Sequence, residues 1–233
     1  MAAIEKVKVL VLGDSGVGKS SLTHLIAHNE PISNPSWTVG CSVEVKLHEF
    51  REGTQYQKTY FIELWDVGGS SNHRKTRTTF YNGVHGLIFV HDLTNRKSQQ
   101  NLKCWLSEVV NRDSYKAKQG FEEYDSEQCA GSNMLPMIFI GTKLDLAGEK
   151  RVQGNMMGLD IAQEWGADKI NLDNMDPRSL APGSSSAVKL SRFFNKVIEM
   201  RYHKREHVSP FAPDKKRFYT TISPNNTKSY HYD

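Results

Sequence analysis

Eight residues near the start of the chain, GDSGVGKS from Gly13 to Ser20, join glycines at fixed spacing to one lysine and one hydroxyl. They fill the pattern G-x-x-x-x-G-K-[ST], whose chemistry is the binding of phosphate. Glycines let successive backbone N–H groups turn inward, so the amides of Ser15, Gly16, Val17, Gly18, Lys19 and Ser20 can face an anion. A helix beginning near Lys19 adds the positive end of its dipole, and Ser21 lies in its first turn. Lys19 supplies a point charge to β- and γ-phosphates. The Ser20 hydroxyl can ligate Mg2+. The dinucleotide fingerprint GxGxxG does not occur.

Two further clusters narrow the chemistry. Phe61 to Asp66 (FIELWD) is an apolar run ending in an acid, followed by Val67, Gly68 and Gly69. Asp66 can hold the shell of a magnesium ion, and the Gly69 N–H can meet a γ-phosphate. The run MIFIG ends in Thr142, Lys143, Leu144 and Asp145. A carboxylate at Asp145 can accept two hydrogen bonds from guanine, from N1–H and the 2-amino group. Adenine lacks that donor pair, and unpaired buried groups discriminate strongly.

These residues need elements to hold them. Val7 to Leu12 is a near-continuous apolar run, as in a strand buried on both faces. Leu22, Leu25 and Ile26 follow with helical spacing. Val43, Val45 and Leu47 alternate with Glu44, Lys46 and His48, the pattern of a half-buried strand. REGTQYQK reads as a hairpin turn into Tyr60 to Trp65. Leu87 to Val90 and Met137 to Ile140 read as buried strands. Leu102, Trp105, Leu106 and Val109 have helical spacing, Met156 to Trp165 reads as a helix, and Val188 to Ile198 as an amphipathic one. Strands alternating with helices predict an α/β fold with a mostly parallel sheet.

With these motifs on the page, the chain resembles the Ras superfamily of small GTPases, most closely its Rab branch. The resemblance rests on GDSGVGKS, Trp37-Thr38-Val39-Gly40, Leu64-Trp65-Asp66-Val67-Gly68-Gly69, Gly86 to Thr94 (GLIFVHDLT) and GTKLDL, and covers about Lys6 to Arg201. It implies a three-layer P-loop G-domain over residues 1–202, with a six-stranded, mostly parallel sheet and helices on both faces. It implies GTP/GDP and Mg2+ as cofactors, with Ser20, Thr38 and Asp66 at the metal. Thr38 would sense the γ-phosphate, and Asp66 to about Tyr81 would form the second switch segment. Effector and regulator proteins would then meet Trp37-Thr38 and Gly69 to Thr79. A homodimer stays open.

The departures from the family pattern carry expectations of their own. Ser70 stands where a water-positioning Gln is usual, so no catalytic residue is assigned and slow hydrolysis is expected. Ser70 to Thr79 (SSNHRKTRTT) holds no apolar residue, unlike the family's usual partner surface. Thr142 replaces the Asn of the base motif, and a hydroxyl there is expected to bridge loops less well. Pro31 falls where a base-stacking aromatic is usual. The last base contact matches Asp173-Asn174, with SSSAV near Ser184 as a competing, later match. These departures leave two functions open: a slow GTPase switch, or a GTP-dependent scaffold that does not hydrolyse. An ATP-dependent kinase is disfavoured by TKLD.

Composition sets the outer limits. The chain has 233 residues, 38% hydrophobic and 24% charged, enough for one core. Net charge is +4, and the 31 residues from His203 carry six Lys/Arg against three Asp/Glu. A nearly neutral body argues against a nucleic-acid partner. Residues 203–233 read as a flexible basic tail, and 111–135, with five acidic and three basic residues, as a polar insertion loop. The three cysteines form no CxxC pair, which fits a reducing cytoplasm. KSYHYD at the end holds no cysteine for prenylation, so at most peripheral membrane attraction through Lys215, Lys216 and Arg217 is expected. HKREH (His203 to His207) matches an inverted zinc-protease pattern but lacks a suitable third ligand. Met156, Met157, Trp165, Phe193 and Phe194 read as core. Trp37 reads either as an exposed anchor or as local packing.

Overall fold

The computed structural model describes residues 4–117, 135–148 and 161–203. Six strands form one sheet in the order β2-β3-β1-β4-β5-β6. They are β1 (Lys6–Leu12), β2 (Cys41–Phe50), β3 (Lys58–Val67), β4 (Gly86–Asp92), β5 (Met137–Thr142) and β6 (Asp168–Asn171). Only β2 runs antiparallel, paired to β3 through the hairpin. The principal helices are α1 (Lys19–His28), α2 (Arg74–Arg77), α3 (Arg96–Ala117), α4 (Ile161–Glu164) and α5 (Ser185–Ile198).

The apolar run of β1 is continuous because both faces of the strand are covered. Val7, Val9 and Val11 pack with Leu22, Leu25 and Ile26 of α1 and with Phe194, Val197 and Ile198 of α5. Leu10 and Leu12 face the other way, toward Leu102, Trp105 and Leu106 of α3 and Ile161 of α4. The sheet is thus the middle of three layers. Parallel order places the C-terminal ends of β1, β3, β4 and β5 at one rim, where such sheets bind ligands.

Several expectations need correction. The β2 alternation is present, but its faces are the reverse of apolar-inward. Val43, Val45 and Leu47 are exposed. Glu44, Lys46 and His48 turn toward the protein, where the Lys46 ammonium donates to Ile26 O of α1 (2.9 Å) and His48 pairs with Asn195 of α5 (2.8 Å). Polar partners on the covering helices set the strand's facing. Residues 111–117 continue α3 rather than opening the insertion loop; NRDSYKA contains no Gly or Pro to stop a helix. Of Met156 to Trp165 the structure describes helix only at Ile161–Glu164, and residues 149–160, Met156 and Met157 among them, lie outside the described residues. Trp165 is exposed instead of core, whereas Phe193 and Phe194 are buried. The greater part of the insertion, 118–134, and the tail from 204 are likewise outside. Among the described residues no helix is long and apolar enough to cross a membrane.

His48 gives the fold a pH dependence. The ring is buried edge-on against Phe194 (centroids 5.4 Å apart), and burial pushes its pKa below the usual 6.5 despite the Asn195 hydrogen bond. A neutral folded imidazole stabilises fully above the unfolded pKa and loses that contribution as pH falls through 6.5 toward the folded value. Urea midpoints at pH 7.5 and 5.5 should therefore fall with acidification in the wild type and fall less in His48→Gln. Equal slopes in both would refute this assignment.

Candidate functional site

Leu12 hands the chain to the glycine-rich loop at the sheet rim. At Gly13, φ is 154° and a Cβ would lie 2.2 Å from Val90 O, so only glycine lets the loop leave β1 against β4. Gly18, at φ 92°, caps α1 with no side-chain hydrogen bond to its first-turn amides. Those amides stay open to an anion. Lys19 folds back over the loop, its ammonium donating to Gly13 O (3.0 Å) and Asp14 O (2.9 Å). Burial pushes its pKa down, opposed by the charges of Asp66 and Asp14.

One turn into the site, three elements meet. Ser20 of α1 donates to Asp66 Oδ2 of β3 at 2.6 Å. Thr38, on the loop between α1 and β2, donates to the same oxygen at 3.0 Å, and its hydroxyl lies 3.0 Å from that of Ser20. Asp66 is fully buried, and its Oδ1 has no hydrogen-bond partner among the described residues. Two hydroxyls and a carboxylate with a spare buried oxygen form a hard-oxygen donor set, which fits Mg2+ or its water shell. Ser20 and Asp66, 46 positions apart in sequence, come together here.

The other end of the rim is built from β5 and the loop after β6. Thr142 is buried and donates to Val17 O of the glycine-rich loop (2.6 Å) and His91 O (3.1 Å), so the hydroxyl does bridge loops, contrary to expectation. Asn174 adds a second tie, donating to Gly18 O at 3.0 Å. Lys143, held at φ 58°, pairs with Asp92 at 2.7 Å. Burial pushes the Asp92 carboxyl up, but hydrogen bonds from Lys143 and Thr94 outweigh it and hold the group below the usual carboxylate range. The Leu144 N–H donates to Leu172 O (3.3 Å), tying the loop that carries the exposed Asp145 to the end of the segment that leads into Asp173. Asp173 accepts from Met175 N. Ser184 instead caps α5 through Ala187 N, so the competing SSSAV match is occupied as a helix start.

Residues 8–173 match the family model described as Ras family. The chain belongs to the Ras family of small GTPases. It is 54% identical to Rab-like protein 3 of Homo sapiens over 243 residues and 54% identical to Rab-like protein 3 of Xenopus tropicalis over 242 residues, each covering all of both chains. It is 33% identical to the small GTPase-like protein LIP2 of Arabidopsis thaliana over 228 residues, 88% of this chain and 67% of that one. The six-stranded sheet and flanking helices are those of a P-loop G-domain.

Within this GTPase, the segment after Gly69 is held in a way that the sequence does not announce. A Cβ at Gly69 would lie 2.5 Å from Ser15 N, so this glycine rests directly on the phosphate loop. Ser70 follows without capping the turn at Ser71–His73. Arg77 of α2 reaches back to Ser70 O (3.2 Å) and grips Glu108 of α3 through Nε and Nη2, both at 2.7 Å. Its guanidinium stacks on Trp105, 3.9 Å from the ring centroid. Tyr81 also donates to Glu108 (2.7 Å). Trp105 Nε1 and Asn101 Nδ2 in turn donate to the two carboxylate oxygens of Asp14 (2.9 and 2.7 Å). Arg77, Glu108 and Asp14 were not among the predicted site residues; Asn174 was, as a base-side contact, and its side chain is turned to Gly18 O. Helical spacing marks Trp105 as core, but nothing in a single sequence pairs its N–H with an aspartate 91 positions away.

Asn174→Ala removes the tie to Gly18. A net hydrogen bond is worth about 1 kcal/mol, which lowers the melting midpoint of a chain this size by roughly 3 °C. Thermal melts should show that loss, with Asp173→Ala, whose carboxylate accepts an exposed bond from Met175 N, costing less.

Proposed function

We propose that this GTPase is a GTP/GDP-dependent switch with slow intrinsic hydrolysis, acting through protein partners at Trp37-Thr38 and Gly69 to Thr79. The observation that carries it is the convergence of Ser20, Thr38 and Asp66 within 3.0 Å beside the Lys19-crowned loop. Mg2+ bound there would neutralise charge between phosphate oxygens. Ser15 to Ser21 offer amides to the phosphates, and Asp145 reads guanine with Thr142, Lys143 and Leu144 holding its loop. Asp173-Asn174 supplies the last base-side contact. Thr38 lies on residues 29–40, so one extra phosphate can order that segment, as Gly69 can order the other. Trp37 and Val39, 86% and 85% exposed, support a protein-docking role for the first segment. The cytoplasm is its proposed setting; free thiols at Cys41 and Cys104 support a reducing one.

Slow hydrolysis follows from Ser70, whose side chain is too short to orient an attacking water. Single-turnover GTP cleavage should be slow in the wild type and faster by about tenfold to a hundredfold in Ser70→Gln, the scale on which positioning a reactant acts. Mass identification of co-purifying nucleotide and competition between GTP and ATP test the binding itself. Indifference to guanosine nucleotides at millimolar levels with Mg2+ would end the proposal. A GTP-dependent scaffold is the second reading, favoured by the Arg77–Glu108 clamp on the segment that follows Gly69. Cleavage absent from both the wild type and Ser70→Gln, with GTP still bound, selects it.

A further inference from the structure

A second donor cluster lies on the outer side of α1, apart from the nucleotide residues. His24 and His28 are four positions apart, which stacks their rings on one helix face with centroids 4.5 Å apart. Glu44 of β2 comes up between them. Its Oε2 is 2.9 Å from His28 Nε2 and its Oε1 is 3.7 Å from His24 Nδ1. All three donor atoms fall within 4.8 Å of one another.

We propose that His24, His28 and Glu44 form a binding site for a divalent transition ion of the Zn2+, Co2+ or Ni2+ class. Bonds of about 2.1 Å from imidazole nitrogen and carboxylate oxygen to a tetrahedral ion place donors about 3.4 Å apart. The 2.9 and 3.7 Å contacts run to the two different oxygens of Glu44, and one donor atom from each residue lies within 4.8 Å of the others, so the side chains close in by rotation to take one ion. Two nitrogens and one oxygen suit borderline ions, in contrast to the all-oxygen set at Ser20, Thr38 and Asp66. The three side chains are 27%, 47% and 35% exposed, which gives an ion a path in and leaves a fourth position to water. Lys46, two positions from Glu44 on the same face of β2, has its ammonium tied to Ile26 O.

The location gives the site a consequence. Residues 29–40, which carry Thr38, leave α1 directly after His28 and return at Cys41 to open β2. An ion shared by His28 and Glu44 cross-links the two anchors of that segment, 16 positions apart. Fixing both ends lowers the entropy of the segment between them.

The test is a Co2+ titration of the full chain loaded with GDP and excess Mg2+, followed by visible absorption, with Zn2+ calorimetry in parallel. One ion per chain is expected, without the sulfur charge-transfer band that cysteine ligation would give. His24→Ala, His28→Ala and Glu44→Gln should each weaken binding by about tenfold or more, the scale reached on losing even an outer-shell partner. His203→Ala/His207→Ala should leave it unchanged. Zn2+ should raise the melting midpoint of the wild type but not of His24→Ala/His28→Ala, whose metal-free melt reports that the fold is kept. Equal affinity in the wild type and the double α1 variant, absence of saturable binding, or loss of binding in the tail variant would overturn the proposal.

Discussion

Lys19→Ala is expected to strip the protein of guanine nucleotide. The ammonium is a full positive charge folded over the glycine-rich loop, held by Gly13 O and Asp14 O. Those carbonyls fix its position, while burial and its lowered pKa mean that a neighbouring anion stabilises it further. Charge-assisted hydrogen bonds are worth about 1.5–3 kcal/mol each. Losing those to two phosphates should weaken affinity by about 3 kcal/mol or more, roughly a hundredfold. Nucleotide content after purification, measured by chromatography and mass, should fall to a small fraction of the wild-type level. The metal-free, nucleotide-free melt should move far less than nucleotide affinity does, because the substitution removes the two hydrogen bonds to Gly13 O and Asp14 O but also relieves the cost of a buried ammonium. Wild-type nucleotide occupancy in Lys19→Ala would remove the phosphate loop from the account.

The second large effect is on stability. Glu108→Ala should cost about 3–5 kcal/mol, the range for leaving half of a buried ion pair behind. Arg77 and Glu108 side chains are only 7% and 8% exposed, and Arg77 would lose its two-point grip while still stacked on Trp105. Tyr81 loses its acceptor in the same substitution. The melting midpoint should drop by roughly 10 °C. Hydrogen exchange should rise first across Ser70 to Tyr81, since those residues are pinned to α3 through this carboxylate. The pair also has an acid limit. Burial pushes the Glu108 carboxyl up, but Arg77 and Tyr81 more than offset that and hold it below the ordinary 4.5. Its contribution is complete above that value and is lost as pH falls through the lower folded one. A melt unchanged by Glu108→Ala at neutral pH would show the clamp to be idle.

How much of this was legible beforehand depended on range. The glycine-rich loop and Asp66 were legible because each needs a fixed residue type at a fixed strand end, and the structure brings them together at the sheet rim. The strand faces of β2 were less legible, because alternation gives the period but not which set points inward. Glu44, Lys46 and His48 turn inward beside the buried Phe50, where two histidines, Ile26 O and Asn195 offer them partners. By its own side chain, Thr142 is a weaker stand-in for Asn. The structure puts a carboxamide at Asn174, on another loop, against Gly18 O. Such a division of one task between positions 32 apart leaves no local trace. The Asp14–Trp105–Arg77–Glu108 chain escaped for the same reason, and α3 ran past Asn111 because polarity alone does not end a helix.

Cys41 opens β2 immediately after the Thr38 segment, yet burial, with Asp66 beside it, pushes its thiol up to about 11. At cellular pH it carries almost no thiolate, so peroxide and electrophiles have little to attack there. Cys104, exposed next to Trp105, is chemically accessible instead. In a Cys129→Ser background a maleimide dye would therefore settle on the third helix, within reach of the stacked guanidinium, and its emission would follow movements of the Arg77 segment without any added cysteine.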